Sequence, residues 1–427
     1  MQDLKGLFVF RRDLRTQDNS ALNDLLDRCK EVHCIFILDP KQINPRNNKF
    51  FSAPAMRFML DCLIELQEKI PLKVLDGDPY DIIKSLSSKY DLITFNRDWS
   101  KYANERDAKL IEIPRIHNPK EIDIPIVTSH FDDVGLNAPL RVPPYKVFTP
   151  YYNYVTKIKV RQPENKSTSK ITAFPGKTVN LQKLRKNIED MIKKQNMDLD
   201  LIQRGGRKAA LVCIKKFQCS KYKANRDMLT AENSRLSPHL KFGTVSAREV
   251  YYACNSTEFR KQLYWRDFYL QIGYHFPKVY GNNFRNKIKW SNNLTHFKKW
   301  CAGETGYDIV DACMSQLNKS GYMHNRGRMI VASFLTKILH IDWRLGEQYF
   351  ASRLTDYDPA NNNGGWQWSA GTGCDAQPYY RIFNPYTQAA KFDPDGEYRK
   401  KWLTRKKEVA EIVDYDVERV AALKLIS

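Results

Sequence analysis

The second half of the chain holds five short stretches in which cations, carboxylates, amides and rings crowd together more densely than a packed core requires. They are YKANRD with NSRLS, QLYWRDFY, MHNRGRM, LTDYDPANNN and GGWQW. Arg328 could pair with Asp356 or Asp358. A buried ion pair is costly unless further hydrogen bonds complete it, and a flat heterocycle rich in donors and acceptors would complete it. A structural bridge between two helices explains the same residues equally well. Asn233, Ser234 and Ser237 can cap a helix while the free backbone N–H groups beside them hold a phosphate; capping alone also accounts for them.

The aromatic residues pose the same choice. Trp265 and Trp368 bury their rings in a core by default, but lining a cavity they would grip a planar ligand such as an unstacked base. Arg226, Arg326, Arg381 and Lys391 would then form a cationic rim for phosphates, although each taken singly reads as a surface cation. Met323 and Met329 read as core filler. The run NNNGGWQW, 361–368, makes a poor helix interior and an unusual strand, and it places two indoles directly after a glycine pair.

Two kinds of scaffold must carry these residues. From the first residue, short apolar runs (GLFVF, EVHCIFILD, LKVLDG, DLITF) alternate with amphipathic helical patterns such as SAPAMRFMLDCLIELQEKI, which predicts an α/β domain with a mostly parallel sheet over 1–130. No G-x-G-x-x-G follows the first strand, so this half need not hold a pyrophosphate, though its strand ends could bind something flat. A proline-bearing, polar stretch over 131–195 reads as an interdomain connection. From 196 to 427 the pattern is long and helical, as in AREVYYACNSTEFRKQLYWRDFYLQI, giving an all-α second domain.

Composition narrows the partners. Of 427 residues, 42% are hydrophobic and 12% aromatic, ample for two cores. Lys and Arg outnumber Asp and Glu by 69 to 48, a net charge of +21 that favours a polyanion, nucleic acid first. Nine dispersed cysteines lack metal-ligand spacing and read as reduced core thiols of an intracellular protein, with no metal site. No apolar run is long enough for a membrane span, so a soluble cytoplasmic or nuclear protein is expected.

Together these motifs resemble the photolyase/cryptochrome family, most closely its class I cyclobutane pyrimidine dimer photolyases. The resemblance runs from FRRDLRTQDNSAL through RLSPHLKFGTVS, WRDFY and TGYDIVDACMSQLNKSGYMHNRGRMIVASFL to NNNGGWQWSAGTGCDAQPYYRIFNP. It implies a Rossmann-like antenna domain and a helical domain holding a U-shaped FAD beneath a DNA-facing cavity. The FAD residues it implies are Tyr222, Asn233, Ser234, Arg235, Leu236, Ser237, Phe259, Arg328, Asp356, Tyr357, Asp358 and Asn362, the last against flavin N5. Trp366, Trp343 and Trp290 match the inner, middle and outer members of a tryptophan chain that re-reduces the flavin. Gln262, Trp265, Asn325, Met329 and Trp368 would line the lesion pocket, and Arg226, Arg266, Arg326, Arg381 and Gln388 would hold UV-damaged DNA.

Gln262 stands where these enzymes carry glutamate and where six-four photolyases resemble one another in glutamine. Those enzymes also share a histidine pair, of which only His324 is present, with Met329 at the other place, so the cyclobutane dimer remains the expected substrate. The alternatives are six-four repair and a non-repairing blue-light receptor. Asn104 and Glu105 match the family's folate-contacting pair, so an antenna of methenyltetrahydrofolate is the first expectation, with a deazaflavin or no second chromophore next. A monomer is expected.

Overall fold

A computed structural model describes residues 3–116, 144–285, 288–375, 381–403 and 409–424. The first half alternates strands and helices: β1 (Lys5–Phe10), α1 (Ser20–Arg28), β2 (Glu31–Leu38), α2 (Ala53–Lys69), β3 (Leu72–Asp76), α3 (Pro79–Leu86), β4 (Leu92–Thr94) and α4 (Lys101–Ile111). The strands form a parallel sheet in the order β3-β2-β1-β4, with Phe8 opposite Cys34, Phe36 opposite Val74 and Leu7 opposite Ile93. Helices cover both faces, so β1 and β2 are buried almost end to end and read as continuous apolar runs. Asn19, Ser52 and Ser100 cap α1, α2 and α4 with side-chain oxygens on free backbone N–H groups.

The stretch 131–195, expected as a connection, has a more definite structure where it is described. Ile171 and Thr172 form β5, which pairs in parallel with Val32 and His33 at the start of β2, below the reach of β3. Helix α5 (Leu181–Lys194) packs on α2 and buries Leu181, Ile188 and Ile192 in the core of the first domain. Upstream, the helix Phe148–Val155 instead packs against the second domain. Residues 117–143 lie outside the described residues.

The second half is helical. The elements that matter for the site are α6 (Ser237–Phe242), α7 (Thr257–His275), α8 (Asp308–Ser320), α9 (Asn325–Lys337), α10 (Trp343–Arg353) and α11 (Pro359–Ala370). Helix α9 packs against α8, α10 and α11 around a core that includes Met323, Phe334, Trp343, Phe350 and Trp366. The run NNNGGWQW, unpromising by propensity, is the body of α11. Asp358 caps it and Pro359 opens it. Gly364 then permits close approach to α7, since a Cβ there would meet the Tyr269 ring at 2.1 Å. Tertiary packing overrides local preference.

The cysteines need a correction. Seven are free, but Cys219 and Cys254 form a disulfide. Their separation of 35 residues carries no local signal in the sequence.

Candidate active site

The site is built where three segments converge on one carboxylate. Arg328, from the first turn of α9, places Nη2 at 3.1 and 2.8 Å from the two Asp356 oxygens, and its Nε donates to the Met323 carbonyl. The Ser237 hydroxyl, at the start of α6, donates to Asp356 at 2.6 Å. Burial alone would raise the Asp356 carboxyl, but the Arg328 charge and these hydrogen bonds hold it below the usual carboxylate range. Arg328 therefore pairs with Asp356 and not with Asp358. The Asp358 carboxylate is taken by Arg12, at the end of β1, and by the Asn361 backbone and side-chain amides at 3.0 and 2.9 Å. It bridges the two domains.

The turn before α6 completes this cradle. Asn233 donates to the Tyr322 hydroxyl, and Arg235, at a left-handed φ of 52°, stacks over the Tyr322 ring at 3.6 Å. Ser234 Oγ accepts from the buried Leu236 N–H at 3.4 Å. Tyr222 and Phe259 meet edge to face at 5.2 Å, and the Cys219–Cys254 disulfide staples the segments that carry them. Tyr357 points elsewhere, stacked on Phe50 in a second cavity described below.

On α11 the residues sort by helical angle. Asn362 and Trp366 are four residues apart and share a face, whereas Trp366 and Trp368 are two apart and point to nearly opposite sides. The Asn362 amide nitrogen is buried and has no partner among the described residues. A Cβ on Gly365, one turn on from Asn362, would meet nothing within 4 Å. A buried amide with no partner and a helix face open to space are what a flat, polar-edged cofactor would fill. The residues fit FAD.

Trp366 is buried, edge-on to Phe350 at 4.9 Å, and its ring lies over Gly346 on α10. Trp343, fully buried, begins the same helix and donates Nε1 to Asn283 at 2.9 Å. Half-buried Trp290 sits at the edge of this cluster, its segment tied to the turn before α10 by the Ser291 N–H to the His340 carbonyl at 2.8 Å. Trp366 and Trp343 are thus buried in one core, with Trp290 partly exposed at its edge. Trp300, which the sequence reading did not single out, also lies beside Trp366, at 6.2 Å between ring centroids; nothing in its spacing marked it.

The residues expected around the lesion and DNA separate into those facing outward and those that do not. Asn325 is exposed, and its amide reaches the Met329 sulfur at 3.7 Å on the next turn, so both share one face of α9. Met323, by contrast, is wholly buried. Gln262 and Trp265 are half-buried on α7, and Trp368 on α11. Arg226 pairs with Glu258 at 3.3 Å, Arg326 with Asp227 at 2.7 Å, and Arg381 and Lys391 are exposed. Gln388 is half-buried, its side-chain oxygen without a partner among the described residues. Arg266 is different: its side chain is 13% exposed and donates inward to the Leu240 carbonyl beside Asp267, so it faces the interior. His324 is likewise no pocket residue. Its Nδ1 accepts the Arg326 N–H at 3.1 Å as the cap of α9, and burial pulls its pKa down to about 4, keeping the ring neutral for that role.

A second cavity, about 610 Å³, opens at the carboxyl ends of β1 and β2, between the sheet and the helical domain. Phe36, Phe50, Met56, Met59 and Tyr357 give it apolar walls. Arg11 and Arg106 both line it, and each has a buried Nη2 without a partner among the described residues. Glu105 reaches only its rim with a 64% exposed side chain, and Asn104 donates to the Trp99 carbonyl at the long distance of 3.5 Å.

A parallel-sheet domain is thus joined to a helical domain that carries a polar site around Asp356 and a tryptophan-bearing core. The chain belongs to the photolyase/cryptochrome family. Residues 7–169 match the DNA photolyase family model, and residues 259–422 match that of the FAD binding domain of DNA photolyase. It is 37% identical to the deoxyribodipyrimidine photo-lyase of Alkalihalophilus pseudofirmus, over 92% of this chain and 86% of that one. It is 34% identical to that of Escherichia coli, over 94% and 89%. In structure it is similar to the archaeal photolyase of Sulfolobus tokodaii, solved with two FAD molecules (TM-score 0.86, 34% identity, 99% of each chain). It is also similar to a class III photolyase of Agrobacterium tumefaciens (TM-score 0.85, 28% identity, 100% of this chain and 97% of that one). No helix among the described residues is long and apolar enough to cross a membrane, and no cluster of potential metal ligands occurs among them.

Proposed function

We propose that this chain is a light-dependent deoxyribodipyrimidine photo-lyase that splits cyclobutane pyrimidine dimers in UV-damaged DNA. The observation that carries the reading is the buried Asn362 amide, without a partner among the described residues and one helical turn from Trp366, together with the Arg328–Asp356–Ser237 hub. When bound, reduced FAD supplies the light-driven electron that opens the cyclobutane ring. The chain's own residues do the rest. Asn362 offers a hydrogen bond but no titratable proton, and the Arg328–Asp356 pair fixes the cradle. Trp290, Trp343 and Trp366 carry electrons inward from the surface.

Gln262, Trp265, Asn325, Met329 and Trp368 would form the pocket for the extruded pyrimidine pair, displacing water from it. Arg226 and Arg326 would exchange Glu258 and Asp227 for DNA phosphates, alongside Arg381. Gln262 favours the six-four lesion, but the one available imidazole, His324, is used as a helix cap, which supports the cyclobutane dimer.

The second cavity is suited to an antenna. Its apolar walls and the two open guanidinium donors, Arg11 and Arg106, fit a flat ring carrying an anionic group better than Asn104 and Glu105 fit a folate at the rim. That favours a phosphate-bearing flavin-type chromophore, and the second FAD of the Sulfolobus tokodaii relative supports the same choice.

The test is blue-light incubation of the purified protein with two oligonucleotides, one carrying a cyclobutane dimer and one a six-four product. Loss of the cyclobutane dimer alone is expected. Loss of the six-four product alone would transfer the function to that lesion, and loss of neither would favour a receptor.

A further inference from the structure

Phe148 lies far from α7 in sequence and is buried, with 3% of its surface exposed. Its ring stacks on Trp265 with centroids 3.6 Å apart and planes within 6° of parallel. The backbone N–H of Phe148 is held by the Asp375 carboxylate, so the start of the Phe148–Val155 helix is tied to the segment after α11 as well as to Trp265 on α7. Trp265 has two further ring neighbours, Tyr269 at 5.7 Å and 28° and Phe268 edge-on at 5.7 Å, both from its own helix. Lys261 sets its ammonium group 6.0 Å from the Phe148 ring and 5.2 Å from Tyr152.

We propose that Phe148 is a positioning residue for dimer recognition, fixing the plane of Trp265 so that the indole meets the extruded lesion without reorienting. This rests on the reading of Trp265 as a pocket wall. A half-exposed tryptophan on a helix has several rotamers open to it. Phe148 covers one face of the ring while Tyr269 and Phe268 pack beside it, so a rotamer that turns the indole away loses the stack. Phe148 cannot touch DNA itself, because it is covered. Its effect must pass through Trp265, and it acts on binding of the damaged site, not on electron supply through Trp366. Fixing the ring before binding spares the ordering cost at the moment of association.

The test compares Phe148→Leu, Phe148→Tyr and Trp265→Ala in the flavin-loaded protein. Affinity is measured for a dimer-containing duplex and for the same duplex undamaged, together with repair per photon at saturating DNA and the rate of flavin photoreduction. Phe148→Leu is expected to weaken dimer binding roughly two- to tenfold, the range of an aromatic pair. Undamaged binding, photoreduction and repair at saturation should stay at wild-type values, and Phe148→Tyr should restore affinity. Equal weakening toward both duplexes, or failure of Phe148→Tyr to restore, would reduce Phe148 to a structural residue and overturn the proposal. Wild-type dimer affinity in Phe148→Leu alongside a loss in Trp265→Ala would overturn it while leaving the pocket intact. A silent Trp265→Ala would remove the pocket reading itself, and the proposal with it.

Discussion

The ring of Trp366 lies against Gly346, so closely that a Cβ on that glycine would sit 2.2 Å from the indole edge. Gly346 is one turn along α10 from Trp343, so this contact packs the helix that Trp343 begins against the helix that carries Trp366. Trp366→Phe or Trp343→Phe should slow light-driven flavin reduction at least tenfold, while protein reduced chemically beforehand repairs at the wild-type rate. Transient absorption separates the two. Gly346→Ala should cost about 1–3 kcal/mol by overpacking, read by chemical denaturation.

Gln262 can donate and accept hydrogen bonds but cannot ionise. Gln262→Glu is expected to preserve or raise cyclobutane dimer repair per photon. A clear loss, measured as quantum yield on a single-dimer oligonucleotide, would count against placing this residue in the pocket.

Glu347, on α10 at the wall of the second cavity, is buried, and desolvation pushes its pKa up to about 7 despite a hydrogen bond from Asn363. In the unfolded chain the group titrates near 4.5, so between these values the folded state holds the extra proton. Stability is full below pH 4.5 and falls as pH rises to about 7, by about 3 kcal/mol in all. Glu347→Gln should flatten that slope and leave the variant more stable than wild type at pH 8, as thermal melts across pH 5–8 would record.

The Cys219–Cys254 bridge closes a 35-residue separation between the segments bearing Tyr222 and Phe259. Replacing both cysteines with serine should destabilise the helical domain by about 3–4 kcal/mol in the chain-entropy picture. Wild-type protein treated with a dithiol reductant should shift by the same amount in denaturant unfolding.

What could be read from sequence follows from physical range. The parallel sheet was legible because strands buried on both faces are continuous apolar runs, as GLFVF and CIFIL are. The Arg328–Asp356 pair was legible as one of two options; choosing it required seeing Arg12 occupy Asp358 across 346 residues. β5 is two residues long, too short for any period, and the Cys219–Cys254 and Phe148–Trp265 contacts join segments with no local relation. The helix at 359–370 was hidden because asparagine and glycine are poor helix formers; its cap, Asp358-Pro359, was the readable sign. Arg266 shows another limit of range: its bond to the Leu240 carbonyl, 26 residues away, leaves no local sign in the sequence.

The central claim is that the face of α11 around Asn362 is filled by FAD. Gly365 tests it most directly, because its Cβ would meet nothing within 4 Å and leucine is the better helix former. The measurement is flavin bound per chain, by absorption of purified wild type and Gly365→Leu, with folding checked by thermal melting. The account predicts a yellow wild-type protein and a Gly365→Leu variant that melts at or above the wild-type temperature yet has lost flavin from this site. A variant that folds and keeps its full flavin content, or a colourless wild-type protein, would contradict it.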